Sequence, residues 1–181
     1  MENLSSQIKL HFEEKNFCKI FRGDFETISG FIVAYSKEFL IIQESDDFNI
    51  LGYVIFPIST IEKIRRNNSD KYYHKILQSE NLLEKVNLKH KINLNNWETL
   101  FKSIKKTDLN VIIENEDIDD KTFDIGPIIK VNKSSVYIHY FDSKGFLSDE
   151  ETQIKWNQIT LVRFDDRYIN IFSKYLRKRK N

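Results

Sequence analysis

Two stretches decide how this chain is read: Gly30-Phe-Ile-Val-Ala-Tyr-Ser-Lys-Glu-Phe-Leu-Ile-Ile42 and Gly126-Pro-Ile-Ile-Lys-Val-Asn-Lys-Ser-Ser-Val-Tyr-Ile138. Each is a glycine, an apolar strand pattern, a polar Ser-Lys or Asn-Lys turn, and a second apolar strand pattern. They stand 96 residues apart and align without a gap. Further along, Ser59-Thr-Ile-Glu-Lys-Ile-Arg65 lies over Asn157-Gln-Ile-Thr-Leu-Val-Arg163 at an offset of 98. Asp70-Lys-Tyr-Tyr-His-Lys-Ile-Leu77 then lies over Asp166-Arg-Tyr-Ile-Asn-Ile-Phe-Ser173, again at 96. Three blocks in the same order at a nearly constant offset read as an internal duplication.

Each copy reads as a helix, five strands and a closing helix. In the first, Leu4, Ile8 and Phe12 recur at helical spacing behind Asn3, a candidate cap. In the second, Asn95 or Asn96 precedes Trp97, Leu100, Phe101 and Ile104 on one face. Strand patterns cover 17–23, 27–35, 38–45, 51–57 and 60–65, then 109–115, 122–131, 134–142, 151–156 and 159–164. The short connections predict antiparallel hairpins. Closing helices are expected near 69–80 and 166–178, with Asp70 and Asp165 or Asp166 at their N-termini. The organisation is therefore a first unit over 1–80, an apolar connector over 81–94, and a second unit over 95–181 with a basic tail.

Composition bounds the functions. The 181 residues are 40% hydrophobic and 13% aromatic, enough for packed cores. Fourteen Phe and eight Tyr suit compact β structure. With five Gly and two Pro, Asn, Asp, Ser and Lys must carry the turns. Charge nearly cancels, at 28 basic against 27 acidic residues, so neither copy has the bulk positive field of a dedicated nucleic-acid binder. A single cysteine, Cys18, excludes an internal disulfide and a cysteine zinc site, and fits a reducing compartment. The Met-Glu-Asn start carries no signal-like apolar run, and no segment approaches the length of a membrane span. A cytoplasmic protein without membrane attachment is expected.

Five short antiparallel strands have edges to hide, and closing into a small barrel would do so. The expected class is mainly β with helices (α+β), as two tandem five-stranded antiparallel barrels flanked by helices. Phe21-Arg-Gly-Asp-Phe-Glu-Thr-Ile-Ser-Gly-Phe-Ile-Val33, Phe39-Leu-Ile-Ile42 and Ile58-Ser-Thr-Ile-Glu-Lys-Ile64 make each copy resemble the Sm-like fold, which implies such a barrel and, in that family, RNA binding. The family's Asp-x-x-Asn signature is replaced here by Ala34-Tyr-Ser-Lys-Glu38 and Val131-Asn-Lys-Ser-Ser135, so the resemblance extends to the fold and not to the RNA pocket. At whole-chain length the sequence is also similar to a family of uncharacterised bacterial proteins. That likeness rests on Asp46-Asp-Phe-Asn-Ile-Leu-Gly-Tyr53, Tyr140-Phe-Asp-Ser-Lys-Gly145 and the block from Phe164 to Leu176, and implies no activity.

No constellation points to catalysis, a cofactor or a metal. Glu114-Asn-Glu-Asp-Ile-Asp-Asp120 concentrates carboxylates that hard cations favour, yet its spacing is not that of an EF-hand loop and a solvated hairpin turn accounts for it. His11, His74, His90 and His139 are scattered, and Cys18 reads as a core residue without a base in view. The expected function is a non-catalytic binding or adaptor module acting through protein contacts or self-association. Its candidate interaction surface is Asp166, Arg167, Tyr168, Asn170 and Lys174, the densest polar-aromatic block, on a helix expected to bury Ile169, Phe172 and Leu176. The alternative is RNA or single-stranded nucleic-acid binding, with Arg65, Arg66, Arg177, Lys178, Arg179 and Lys180 as candidate phosphate contacts.

Overall fold

The opening helix forms where the polar residue ahead of the apolar spacing predicts it. Asn3 accepts a hydrogen bond from the Ser5 amide and starts α1 (Leu4–Glu13), which buries Ile8 and His11. The computed structural model describes residues 3–178, which form two compact units, Met1–Lys89 and His90–Asn181. The class is α+β, with antiparallel sheets and four α-helices among the described residues.

In the first unit, β1 (Phe17–Arg22), β2 (Phe25–Tyr35), β3 (Phe39–Asp46) and β4 (Asn49–Pro57) follow one another through tight turns. The β3–β4 turn puts Asp47 and Phe48 at positive φ, which suits the twist of a two-residue hairpin. A 3-10 turn over Ile58–Thr60 leads to β5 (Lys63–Arg65), which returns to pair with β1. Arg22, 1% exposed, holds that turn: its Nε donates to Thr60 Oγ1 at 3.2 Å and its guanidinium lies 4.5 Å from the Phe56 ring centre. The strand order is β5-β1-β2-β3-β4. Helix α2 (Asn68–Ser79) then packs Leu77 and Tyr73 on Phe17 and Phe31. Each large side chain so buried contributes ~1.5–3 kcal/mol.

In the second unit, α3 (Trp97–Lys105) is capped by Asn96 and buries Leu100, Phe101 and Ile104. It precedes β6 (Val111–Asn115), β7 (Thr122–Gly126), β8 (Ile128–Val131), β9 (Ser135–Ile138), β10 (Thr152–Lys155) and β11 (Leu161–Phe164). Two ladders result, β11-β6-β7 and β10-β9-β8. Helix α4 (Arg167–Phe172) closes the unit by burying Ile169 against Ile112, Ile125 and Phe141.

The expected closed barrels are not formed. In the first unit β4 and β5 stand at opposite ends of the strand order, with no ladder joining them. In the second, the strand expected over 122–131 is interrupted at Pro127, which has no N–H for a continuous ladder, and its halves join different sheets. The sheets stay open, and the tandem Sm-like barrels implied by the resemblance are corrected accordingly. Three boundaries also shift. Asn67, not Asp70, is the N-cap of α2; Asp70 answers as its third residue, accepting from the Asn67 amide. The closing helix expected over 166–178 is α4 followed by a 3-10 turn over Ser173–Tyr175. The strand expected over 134–142 ends at Ile138, after which Asp142 organises a turn by accepting from the Lys144 and Phe146 amides.

Gly30 and Gly126 occupy matching places. A Cβ built on either would sit 2.2 Å from a backbone carbonyl oxygen, that of Gln43 and of His139 respectively. Those carbonyls are themselves 96 residues apart, as the glycines are. The turns after them match as well: Ser36 Oγ accepts from the Phe39 amide, and Asn132 Oδ1 from the Ser135 amide.

Candidate interaction surface

Helix α4 begins at a bend whose residues are committed to the fold. Asp166 is its N-cap, accepting from the Tyr168 amide at 2.7 Å. The preceding Asp165 has φ +51°, uncommon for a residue with a side chain. Its carboxylate accepts from Asn170 Nδ2 at 2.9 Å and pairs with His90 Nε2 at 2.8 Å. Of the five residues expected to form a recognition face, Asp166 and Asn170 therefore serve the local structure. Arg167, Tyr168 and Lys174 are exposed.

Ile171 and Tyr175 join them. With Ile169 turned into the core, the spacing 168, 171, 175 runs along the opposite side, where Tyr168 is 56%, Ile171 46% and Tyr175 68% exposed. Tyr168 is steadied by an edge contact with Phe172, whose ring packs edge-on against Phe141. Sequence reasoning left Ile171 and Tyr175 out of the expected surface, reading the Tyr175 ring as a base stacker or as a pin holding its helix to the sheet, although assigning Ile169, Phe172 and Leu176 to the buried side already leaves both outward. The face combines the Tyr168 and Tyr175 rings with Arg167, residue types that anchor protein interfaces, and adds the charge of Lys174.

The candidate phosphate contacts are divided between the two units. Arg65 and Arg66 belong to the first unit, Arg177 and Lys178 to the second. Arg65 is held bidentately by Asp70, Nε to Oδ2 and Nη2 to Oδ1, both at 3.0 Å. Burial raises the Asp70 carboxyl, but Arg65 and the Asn67 amide outweigh it and hold the group below the usual carboxylate range. Arg66 is half-buried, and its Nε is enclosed without a hydrogen-bond partner. Arg177 lies 4.2 Å over the Phe146 ring and donates to the Lys144 carbonyl, while its backbone bonds to Gly145 and Leu147. Lys178 is exposed; Arg179 and Lys180 lie outside the described residues.

A separate basic face is present on the three-stranded sheet of the second unit. The register aligns Lys130, Tyr137 and Gln153 in one row, with Lys130 Nζ 5.3 Å from the Tyr137 ring centre. Lys133 and Lys155 are exposed beside it, and Trp156 donates from Nε1 to the Lys133 carbonyl at 2.9 Å.

The reactive side chains are placed for structure. Cys18 is fully buried, and burial pushes its thiol up to about 12, so a thiolate is not available at neutral pH. His74 accepts the Phe17 amide on Nδ1 at 3.2 Å, and burial together with the nearby Arg66 lowers its pKa. The acidic run 114–120 is dispersed: Glu114 pairs with Arg163, Glu116 accepts from Thr160, and 117–120 form the exposed β6–β7 turn. Among the described residues no group of three His, Cys, Asp or Glu side chains is arranged to hold a metal ion, and no helix is long and apolar enough to cross a membrane.

No family model, curated protein or solved structure matches this chain. The resemblances to the Sm-like fold and to the family of uncharacterised bacterial proteins are thus not upheld at family level, because open sheets replace the barrels and short strand-turn-strand patterns recur in many β proteins.

Proposed function

We propose that this protein is a non-catalytic binding or adaptor module that engages a protein partner through the outer side of α4 and the turn after it. The observation that carries this reading is the exposed row Tyr168, Ile171 and Tyr175, flanked by Arg167 and Lys174. Exposed apolar rings aligned on one helix side gain nothing for the isolated unit, and gain most when a partner desolvates them. The cations suit a partner whose apolar groove has an acidic rim. Affinity capture from native cells, comparing the wild type with Tyr168→Ala/Tyr175→Ala, tests it. The same partner should return with the wild type and be lost with the variant, at ~2 kcal/mol per anchor. A partner retained equally by both, or no reproducible partner at low salt, ends the proposal. Light scattering distinguishes a second copy of the chain from a foreign partner. A reducing, cytoplasmic setting is the reading best supported by one buried free thiol.

The two units, in this reading, are diverged copies of one ancestral unit. Supporting it are the three aligned blocks, the paired glycines with their carbonyls, and the matched turns at Ser36 and Asn132. The exposed aromatic row belongs to the second copy alone, since the corresponding stretch of α2 carries Tyr72, Lys75 and Ser79.

A second reading is favoured by the Lys130–Tyr137–Gln153 row with Lys133 and Lys155: single-stranded nucleic acid could lay phosphates on the lysines and a base on Tyr137. Binding to an oligonucleotide should then weaken steeply with salt, and Lys130→Ala/Lys155→Ala should flatten that slope. No binding at ~50 mM salt would remove this reading.

A further inference from the structure

The β6–β7 turn of the second unit sets one apolar side chain among carboxylates. Ile118 is 92% exposed, the most of any large apolar side chain among the described residues. The turn that presents it is already formed. Asn115 Oδ1 accepts the Asp117 amide and Asp117 Oδ1 accepts the Asp119 amide, both at 3.2 Å, and the Asp120 amide donates to the Asp117 carbonyl. Ile118 therefore stands at the tip of a fixed turn between exposed Asp117, Asp119 and Asp120, whose charge Lys121 offsets only in part. A partner would desolvate this tip with little loss of chain entropy.

The α4 face of the same unit has the opposite character. Tyr168, Ile171 and Tyr175 are exposed there with Arg167, Lys174 and Lys178 around them. The two carboxylates nearest in the chain are engaged within the unit, Asp165 by His90 and Asn170, Asp166 by the Tyr168 amide. The face thus offers cations about an apolar row, and the turn offers an apolar point with an acidic rim. They do not meet inside one copy. Helix α4 packs on the Ile112–Ile125 row, and the ladder runs three residues further, ~10 Å at strand spacing, before it ends at Asn115–Thr122. Ile118 projects beyond that end.

We propose that the partner of the α4 face is a second copy of this chain, which docks its β6–β7 turn there with Ile118 among the tyrosine rings and its aspartates beside Arg167 and Lys174. This inference rests on the α4 reading above and names its partner. The net charge of +1 leaves no bulk repulsion between copies. Because the contact joins two different patches, each copy keeps a free turn and a free face, and association continues past the dimer unless the rotation closes a ring. One apolar tip and a few charges make a small, transient interface, with a Kd on the order of 100 µM.

Analytical ultracentrifugation of the full chain from ~10 µM to ~1 mM, a range that brackets such a Kd, tests it. The average mass should rise with concentration for the wild type. It should stay at one copy for Ile118→Ser/Asp119→Lys and for Tyr168→Ala/Tyr175→Ala, each measured alone. All four side chains are exposed, so both variants should keep the wild-type circular dichroism. Mixed in equal amounts, the two variants should associate again and stop at pairs, because only the turn of one and the α4 face of the other are intact. The proposal is overturned if the wild type stays at one copy throughout, if either variant alone associates as the wild type does, or if the mixture stays at one copy. A wild type that stays single yet captures a foreign protein through Tyr168 and Tyr175 removes this inference and leaves the α4 reading standing.

Discussion

The β3–β4 hairpin of the first unit and the β9–β10 hairpin of the second occupy the same place in their chains and are built on opposite principles. In β3 and β4 the apolar residues run almost without interruption, and Leu40, Ile41 and Ile42 are buried alongside Val54, Ile55 and Phe56. Both faces are covered, which is why alternation is lost. In β9 and β10 the alternation survives. Val136, Ile138 and Ile154 point into the core, while Tyr137 and Gln153 share the face that carries Lys130. At sequence offsets of 96 and 98, Ile41 aligns with Tyr137, Ala34 with Lys130, and Ile55 with Gln153. Similar strand-turn-strand patterns thus yield a two-sided core strand pair or a one-sided wet one, according to a few outward positions.

Several measurements would break or sharpen this comparison. The two tryptophans, Trp97 and Trp156, both lie in the second unit, so tryptophan fluorescence reports that unit while circular dichroism reports both. The largest effect is expected where the units agree. Gly30→Ala and Gly126→Ala each force a Cβ to within 2.2 Å of a backbone carbonyl, and each should lose ~4 kcal/mol or fail to fold its own unit. If one variant is tolerated in chemical denaturation, the two sites are not equivalent.

Next comes the contrast itself. Ile55→Gln places an amide among buried apolar neighbours and should cost ~3 kcal/mol, whereas Gln153→Ile, on the open face, should change stability by ~1 kcal/mol or less. Similar costs in a denaturant titration would erase the distinction between hairpins. Smaller again is the difference between the arginine pairs. Asp70→Ala removes both a capping partner and the acceptor of Arg65, for ~2 kcal/mol. Glu114→Ala breaks a pair with Arg163 whose carboxylate is more exposed than that of Asp70 (18% against 3%) and caps no helix, and should cost about half as much.

The smallest effect concerns pH. The folded-state pKa of His74 is lowered, so the folded unit prefers the neutral ring that accepts the Phe17 amide. Its contribution is complete above the unfolded value of about 6.5 and is lost as pH falls through that value toward the folded one. Asp70 acts in the same direction at lower pH, because a depressed carboxyl loses its contribution as pH drops below about 4. The first unit should therefore weaken between pH 7 and 5, and His74→Gln should abolish that first step in circular-dichroism melts while the Asp70 step remains.

Much of the architecture was legible in local patterns. Strand and helix positions followed from period-2 and period-3.6 spacing, and Asn3 and Asn96 stood where caps were expected. The buried side of α4 was legible from Ile169, Phe172 and Leu176. What failed was whatever depends on closure. Pro127 lies inside a convincing apolar run, and only the pairing of its neighbours shows that the run divides between two sheets. The candidate site was half legible: Tyr168, Arg167 and Lys174 could be chosen as a polar-aromatic cluster, but Asp166 and Asn170 look identical in sequence whether they meet a partner or cap and brace a helix.

The amino-acid sequence by itself determined the order of the helices and most strands, the caps at Asn3 and Asn96, and many of the residues that face each core, because these depend on neighbours within a few positions. Tertiary structure alone decided that the sheets stay open, that Arg65 is spent on Asp70, and that the Ser45 and Tyr73 hydroxyls meet. Ser45 and Tyr73 are 28 positions apart, and no local periodicity encodes a hydrogen bond whose partners meet only after the chain has packed.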